Sequence, residues 1–267
     1  MKLGVISDIH EDRDRLAEAL YLLDQLGCHE VACLGDIVGF NFPSFGHFES
    51  RDASECLRLV RNNCKYIVAG NHDLFPAKKI PEHKAGFDYP ENWYTLNYQK
   101  RKKLAGNLVW LNEENEFDTL LSAEEKEFLK SLPEYLVIET KGVPVFLSHY
   151  LYPDLSGSSR KHYDNFGPVI NHLDFIEKNG CRLGFSGHRH VEGFYRVRRN
   201  DMKHNNFGEY QLEEELQWLV GPCIANGKKE NGCMVFNTET LTLNVIPLHT
   251  PPLLMQVVHY NKMKDAD

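Results

Sequence analysis

Five short apolar runs in this 267-residue chain each end in side chains that bind metal ions, and that recurrence constrains the fold more than any other feature. Val5-Ile6-Ser7 leads into Asp8-Ile9-His10, and Cys33-Leu34-Gly35 leads into Asp36. Val68-Ala69-Gly70 leads into Asn71-His72-Asp73. Further on, Val145-Phe146-Leu147-Ser148 leads into His149, and Gly184-Phe185-Ser186-Gly187 into His188-Arg189-His190. Open α/β sheets bind ligands in the crevice beyond the carboxyl ends of their strands, so five such ends would deliver their ligands to one place.

The intervening sequence suits that frame. Residues 3–7, 31–34 and 66–69 read as continuous apolar strands, and residues 12–26 and 52–62 as helices between them. Leu16, Leu20, Leu23 and Leu26 fall at helical spacing in the first of these helices. Apolar strands separated by helices predict a parallel sheet covered on both faces. Residues 75–116 are polar apart from aromatics such as Trp93, Tyr94 and Tyr98. They read as a helical insertion carrying the basic run Lys100 to Lys103, a run expected to be a solvated helix face. A short helix over 122–131 follows, with Ser122 and Glu125 at capping-box spacing.

Beyond Pro133, strands are expected over 135–140, 143–148 and 182–186, with a helix over 169–179. The tail adds strands over 193–197, 218–220, 234–237 and 242–246. Parallel strands early and antiparallel strands late predict two sheets packed together with helices outside. No repeat or low-complexity tract interrupts the chain. The expected organisation is one domain over residues 1–267 with an insertion around 75–131.

Composition narrows the class. The chain is 42% hydrophobic and 25% charged, as in ordinary globular enzymes. Its 38 acidic and 30 basic residues give a net charge of −8, which disfavours binding to a nucleic-acid polymer. The apolar run at the N-terminus is too short for a signal-peptide core, and no run approaches the roughly 18 apolar residues of a membrane span. Seven cysteines without a CxxC pair point to reduced, partly buried thiols. Together these features predict a cytoplasmic protein without membrane partners. They leave its oligomeric state open.

The ligand types fit borderline divalent metals. Carboxylate, imidazole and amide oxygen suit Mn, Fe, Zn, Ni or Co. Asp8 and His10, like His188 and His190, stand two residues apart, so an extended chain would point each pair the same way. By the same alternation Arg189 points away from the metals. Two cations roughly 3.5–4 Å apart can hold a bridging hydroxide, bind phosphoryl oxygens and offset charge on the leaving oxygen. Their inner shell would carry a formal charge of about +1 and attract an anionic phosphate. His72, next to Asn71, is in position to protonate the leaving group, and Asp73 to orient that imidazole.

The ordered string DxH, GD, GNHD, H and GHxH, spanning Asp8 to His190, resembles the calcineurin-like metallophosphoesterases. Gly35-Asp36-Ile37-Val38-Gly39-Phe40 and the segment Val220-Gly221-Pro222-Cys223-Ile224-Ala225-Asn226-Gly227 are similar to small bacterial and archaeal putative phosphodiesterases of that superfamily. The resemblance implies an α/β fold, a four-layer α/β/β/α sandwich of two mixed β-sheets flanked by helices. It implies one metal held by Asp8, His10, Asp36 and His190. A second would be held by Asp36, Asn71, His149 and His188, with Asp36 bridging and His72 as the proton donor.

The implied reaction is hydrolysis of a small phosphate ester, with phosphodiesters favoured. The alternatives are a phosphoprotein or diadenosine-polyphosphate phosphatase with the same metal core, or a non-catalytic scaffold. The scaffold is discounted because every ligand and His72 are present.

Four features bear on substrate. Glu11-Asp12 replaces the family's Gly-Asn and would add negative charge if it faces the site, which disfavours a monoester dianion. Tyr150 follows His149 where glycine is common, and is expected to crowd the entrance. Phe40, Phe42, Phe45 and Phe48 are candidates for a substrate wall. Arg160-Lys161-His162 is either a phosphate grip or a solvated charge run.

Overall fold

The computed structural model describes residues 1–160, 169–225, 227 and 229–249, so Lys161 and His162 lie outside it. In the first half, β1 (Lys2–Ile6), β2 (Glu30–Cys33) and β3 (Tyr66–Ile67) alternate with helices α1 (Arg13–Gln25) and α2 (Ala53–Asn63). The one-turn helix α3 (Asn71–Leu74) follows β3. After it come α4 (Tyr98–Ala105) and α5 (Ala123–Ser131). The second half holds β4 (Tyr135–Ile138), β5 (Val145–Ser148), α6 (Val169–Lys178), β6 (Leu183–Val191), β7 (Phe194–Arg198), β8 (Asp201–Asn205), β9 (Gly208–Gln211), β10 (Gln217–Pro222), β11 (Gly232–Asn237) and β12 (Thr242–Pro247).

Two six-stranded mixed sheets result, ordered β3-β2-β1-β11-β12-β9 and β4-β5-β6-β10-β7-β8. β1 runs parallel to β2 and antiparallel to β11, and β6 runs parallel to both β5 and β10. Helices cover the outer faces, which makes an α/β/β/α sandwich. Leu16, Ala19 and Leu23 of α1 and Cys56, Leu57 and Val60 of α2 pack on the first sheet. Leu3, Val5, Phe185, Leu219 and Phe236 fill the space between the sheets. Leu173 and Ile176 of α6 close the second sheet over Phe146 and Trp218.

Helix starts follow local chemistry. The side chains of Asp12, Asp52 and Ser122 accept from the backbone N–H three residues on, and Glu125 returns the bond to Ser122 in a full capping box. The expected helical insertion is helical only in part. Residues 75–97 are mostly irregular around an aromatic cluster of Phe87, Tyr89 and Trp93, whose rings meet edge to face, and α4 and α5 supply the helix. Burying several large rings in a short segment favours chain reversals over a regular stripe. β8 and β9 escaped the sequence pattern, since both expose polar side chains and lack an apolar alternation.

His172 on α6 is fully buried, its Nδ1 accepting from the Tyr152 N–H and its ring edge-on to Trp218. Burial pulls its pKa down to about 3. The unfolded chain therefore takes up this proton first as pH falls below about 6.5, and native stability is lost toward pH 3. The loss attributable to His172 is about 1.4 kcal/mol per pH unit in that window. Urea titrations at pH 7, 6 and 5 should show a shallower pH dependence for His172→Phe than for wild type, even though Phe lowers stability at pH 7 by removing an acceptor. Equal slopes would show that His172 does not drive the dependence.

Candidate metal centre

All five motif ends meet at one edge of the sandwich, where β1, β2 and β3 of one sheet face β5 and β6 of the other. Backbone bonds carry the ladder past the strand ends: Asp8 N–H donates to the Gly35 carbonyl at 3.0 Å, and Ile9 and His10 N–H both donate to that of Asp36. Within the second sheet Gly187 N–H donates to the His149 carbonyl at 3.0 Å, and across the gap between the sheets His188 N–H donates to both Asp8 carboxylate oxygens.

The ligand pairs are not presented by extended chain. Asp8, His10, Asp36, His188 and His190 have φ of 56°, 45°, 52°, 67° and 44°, a left-handed conformation costing on the order of 1–3 kcal/mol per residue. In β6 the five-residue step from Ser186 to Val191 lies against the two-residue step from Val220 to Pro222, so residues 187–190 bulge out of the sheet. The bulge breaks strand alternation, and Arg189 lines the cavity instead of turning away. Two glycines permit the close approach. A Cβ on Gly70 would sit 2.1 Å from Asp36 Oδ1, and one on Gly187 would sit 1.9 Å from Ser7 Oγ and 2.3 Å from Asp8 Oδ2.

Three groups of donor atoms form. Asp8, His10 and His190 make the first, Asp36, His149 and His188 the second, and His10, Asp36 and His72 the third, all within 4.8 Å inside each group. His190 Nε2 lies 3.1 Å from Asp8 Oδ1 and 3.1 Å from His10 Nε2. His149 Nε2 lies 3.1 Å from Asp36 Oδ2 and 3.1 Å from His188 Nδ1. Asp36 Oδ2 is also 3.8 Å from His10 Nε2, so this carboxylate faces both sides. The Asn71 amide oxygen is buried without a hydrogen-bond partner.

This geometry fits divalent cations. His10 Nδ1–H donates to the Gly39 carbonyl at 2.8 Å and His149 Nδ1–H to that of Leu34 at 2.7 Å, which leaves each neutral ring a lone pair on Nε2 aimed into the cluster. A lone pair facing a carboxylate oxygen is repulsive unless a positive charge, either a proton or a cation, lies between them. Burial disfavours charge on His149, yet Asp36 outweighs it and pushes the pKa up to about 9. Burial first, then neighbouring imidazoles, hold His10 and His188 well below the usual histidine range. The donors are imidazole, carboxylate and amide oxygen, a borderline set.

Asp73 does not reach the His72 imidazole. Its carboxylate accepts from the N–H groups of Asp36, Ile37, Val38 and Gly70 at 2.8–3.2 Å. Three of these amides follow β2 and one precedes α3, so the carboxylate ties the β2 exit to the β3 exit. Glu116, which the sequence pattern did not single out, takes the orienting place, with a buried carboxylate oxygen 2.5 Å from His72 Nδ1. Gly39 makes room, since a Cβ there would lie 2.6 Å from that of His72. Burial opposes charge on His72, but Glu116 and then Asp36 raise its pKa to about 10.

Glu11 and Asp12 both face away from the cluster. Glu11 accepts from Gly39 N–H at 3.0 Å and pairs with Arg51 at 2.5 Å, and Asp12 caps α1 and accepts from Ser50 Oγ. The negative charge expected at the entrance is therefore absorbed by the loops. Tyr150 is buried beneath the site, 4.3 Å ring to ring from His188, and does not crowd the entrance.

Above the cluster opens a cavity of about 610 Å³, lined among others by Phe45, Trp110, Asn112, Arg160 and Lys229. Of the four phenylalanines, Phe45 lines it, its ring tilted against that of His10 with centroids 4.6 Å apart; Phe40 is buried behind, and Phe42 and Phe48 lie exposed outside.

Comparison with known proteins agrees with this arrangement. The calcineurin-like phosphoesterase family model matches residues 1–192, and the chain belongs to that family. An uncharacterized protein of Methanocaldococcus jannaschii is 28% identical over 231 residues, covering 82% of this chain and 74% of its own length. The fold is shared with a metallophosphoesterase from Sphaerobacter thermophilus at a TM-score of 0.61 and 19% identity, covering 94% and 90% of the two chains. It is shared also with a hypothetical protein from Pyrococcus horikoshii at a TM-score of 0.56 and 15% identity, covering 94% and 88%. Among the described residues no helix is long and apolar enough to cross a membrane.

Asp73→Ala should cost about 3 kcal/mol or more, because it strands buried amides that now share one carboxylate. Thermal and urea unfolding measure this directly. A change under about 0.5 kcal/mol would contradict the clamp.

Proposed function

We propose that this protein hydrolyses a small phosphate ester with two divalent cations. Asp8, His10, Asp36 and His190 would hold one, and Asp36, Asn71, His149 and His188 the other. The observation that carries the reading is two donor groups at the floor of a cavity, Asp8-His10-His190 and Asp36-His149-His188, with Asp36 Oδ2 3.8 Å from His10 Nε2 of the other group and the half-buried His72 at the edge. When bound, two such cations polarise phosphoryl oxygens, acidify a water and offset charge on the leaving oxygen.

The protein's own groups supply the rest. His72 donates a proton to the leaving oxygen from Nε2, 3.9 Å from Asp36 Oδ2. Glu116 on Nδ1 fixes the ring and keeps the proton-bearing nitrogen facing the cavity. Phosphodiesters remain the favoured class on steric grounds. Phe45 covers the His10–His190 side and Trp110 to Asn112 the Asn71 side, so each of two ester substituents has a wall. The electrostatic reason offered by Glu11 and Asp12 no longer applies.

Purified protein should contain two divalent metal ions per chain by elemental analysis. It should give a higher kcat/KM on bis-p-nitrophenyl phosphate than on p-nitrophenyl phosphate with the same metal. A clear monoester preference would overturn the diester assignment, and a metal-free, fully active preparation would overturn the whole reading.

His72→Ala should retain metal and lose roughly 10²–10⁴-fold in rate on an alkyl phosphodiester, with a smaller loss for a p-nitrophenolate leaving group. Glu116→Gln should show the same leaving-group bias with a smaller loss. Equal losses on both substrates would assign His72 to shaping the site instead.

A further inference from the structure

Three cationic side chains, Arg160, Arg189 and Lys229, line the cavity among the described residues of a protein with a net charge of −8. Of the acids that line it, Asp36 belongs to the ligand floor and Glu116 is engaged by His72.

Arg160 is the most firmly built of the three. Its backbone N–H donates to the Leu108 carbonyl at 2.9 Å, Trp110 N–H donates to that of Ser158 at 2.9 Å, and Val109 bridges to Ser159. Asp154, fully buried, accepts from Ser158 and Ser159 N–H and ties the loop from below. Gly157 in that loop, at φ 75°, packs on the His188 ring, where a Cβ would lie 2.5 Å from Cε1. The loop that touches the second donor group therefore also carries Arg160.

The Arg160 guanidinium lies over the Trp110 ring, 4.3 Å from its centroid. An arginine stacked on indole is held flat and loses little further entropy when it binds an anion through its fork of donors. Among the described residues its acidic partner is Glu114, at 3.5 Å. Glu114 is already paired with Lys102 at 3.0 Å and accepts from the Tyr98 hydroxyl, so it neutralises Arg160 only weakly. The Arg160 Nε is buried with no hydrogen-bond partner among the described residues, so the one-third exposure of the side chain comes from its other atoms.

Building on the phosphoesterase reading, we infer that Arg160 on Trp110 is a subsite for a second phosphoryl group, so the substrate is a phosphate ester that carries another phosphate. A phosphoryl group accepts bidentately from a planar guanidinium, and such charge-assisted bonds are strong enough to govern affinity.

The test uses the full chain loaded with Mn²⁺ and two matched pairs of probes. Thymidine 3′,5′-bisphosphate should bind about 10- to 100-fold more tightly than thymidine 5′-phosphate by calorimetry. The 5′-p-nitrophenyl esters of the same two nucleotides should differ by a similar factor in KM. Arg160→Ala should abolish most of both differences, and Arg160→Lys, which keeps the charge but not the planar fork, should restore part. Equal binding of the two nucleotides to wild type, or a preference untouched by Arg160→Ala, would overturn the subsite. Failure to hydrolyse either ester while the Arg160-dependent binding preference persists would refute the catalytic reading and leave the subsite standing.

Discussion

The structure depends on bringing buried carboxylates and imidazoles together with their lone pairs facing. Asp8 and Asp36 are fully buried, and burial alone would drive both toward the neutral acid. Surrounding histidines more than reverse this, holding both carboxyls below the ordinary range. Concentrated charge of this kind is stable only if positive charge is shared among the ligands, whether as protons or as cations. The left-handed backbone at five ligand positions and the glycine contacts at Gly70 and Gly187 are structural costs accepted to keep that cluster tight.

The two sheets make those costs sustainable. Ligands from β1, β2 and β3 and ligands from β5 and β6 would be independent if the sheets could slide. Two features oppose sliding. The dry layer of Leu3, Val5, Phe185, Leu219 and Phe236 packs the sheets face to face. At the site itself, His188 N–H bonds directly across to the Asp8 carboxylate of the other sheet. The segment after β10 adds a third tie, with Ile224 and Ala225 N–H donating to the carbonyls of Ser7 and Asp8 at 2.9 and 3.0 Å. The metal-binding geometry is thus a property of the sandwich and not of any one strand.

Around this floor, residues 75–131 contribute what the strands do not. Glu116 reaches His72 from that stretch, and Trp110 supports Arg160 across a short two-stranded contact with the loop after β5. The residues proposed to orient His72 and to hold a second phosphate are therefore carried by segments outside the strands, where functional side chains commonly sit.

Apolar runs, caps and metal-ligand residue types are local signals, so the strands, the helices that cover them, the seven candidate donors and the candidate proton donor His72 were legible in the chain itself. Tertiary structure decided the rest. It placed Glu116, 44 positions beyond His72 in the chain, on the imidazole and gave Asp73 to the backbone amides. It also turned Glu11 and Asp12 into loop anchors, because Arg51 and Ser50 come from a distant loop. Arg189 entered the cavity because a bulge overrode strand alternation, and Tyr150 went under the site because β5 and β6 bury both faces there. In each case a side chain's direction was set by partners far away in sequence, and no local pattern records which of several satisfiable partners a buried polar group will find.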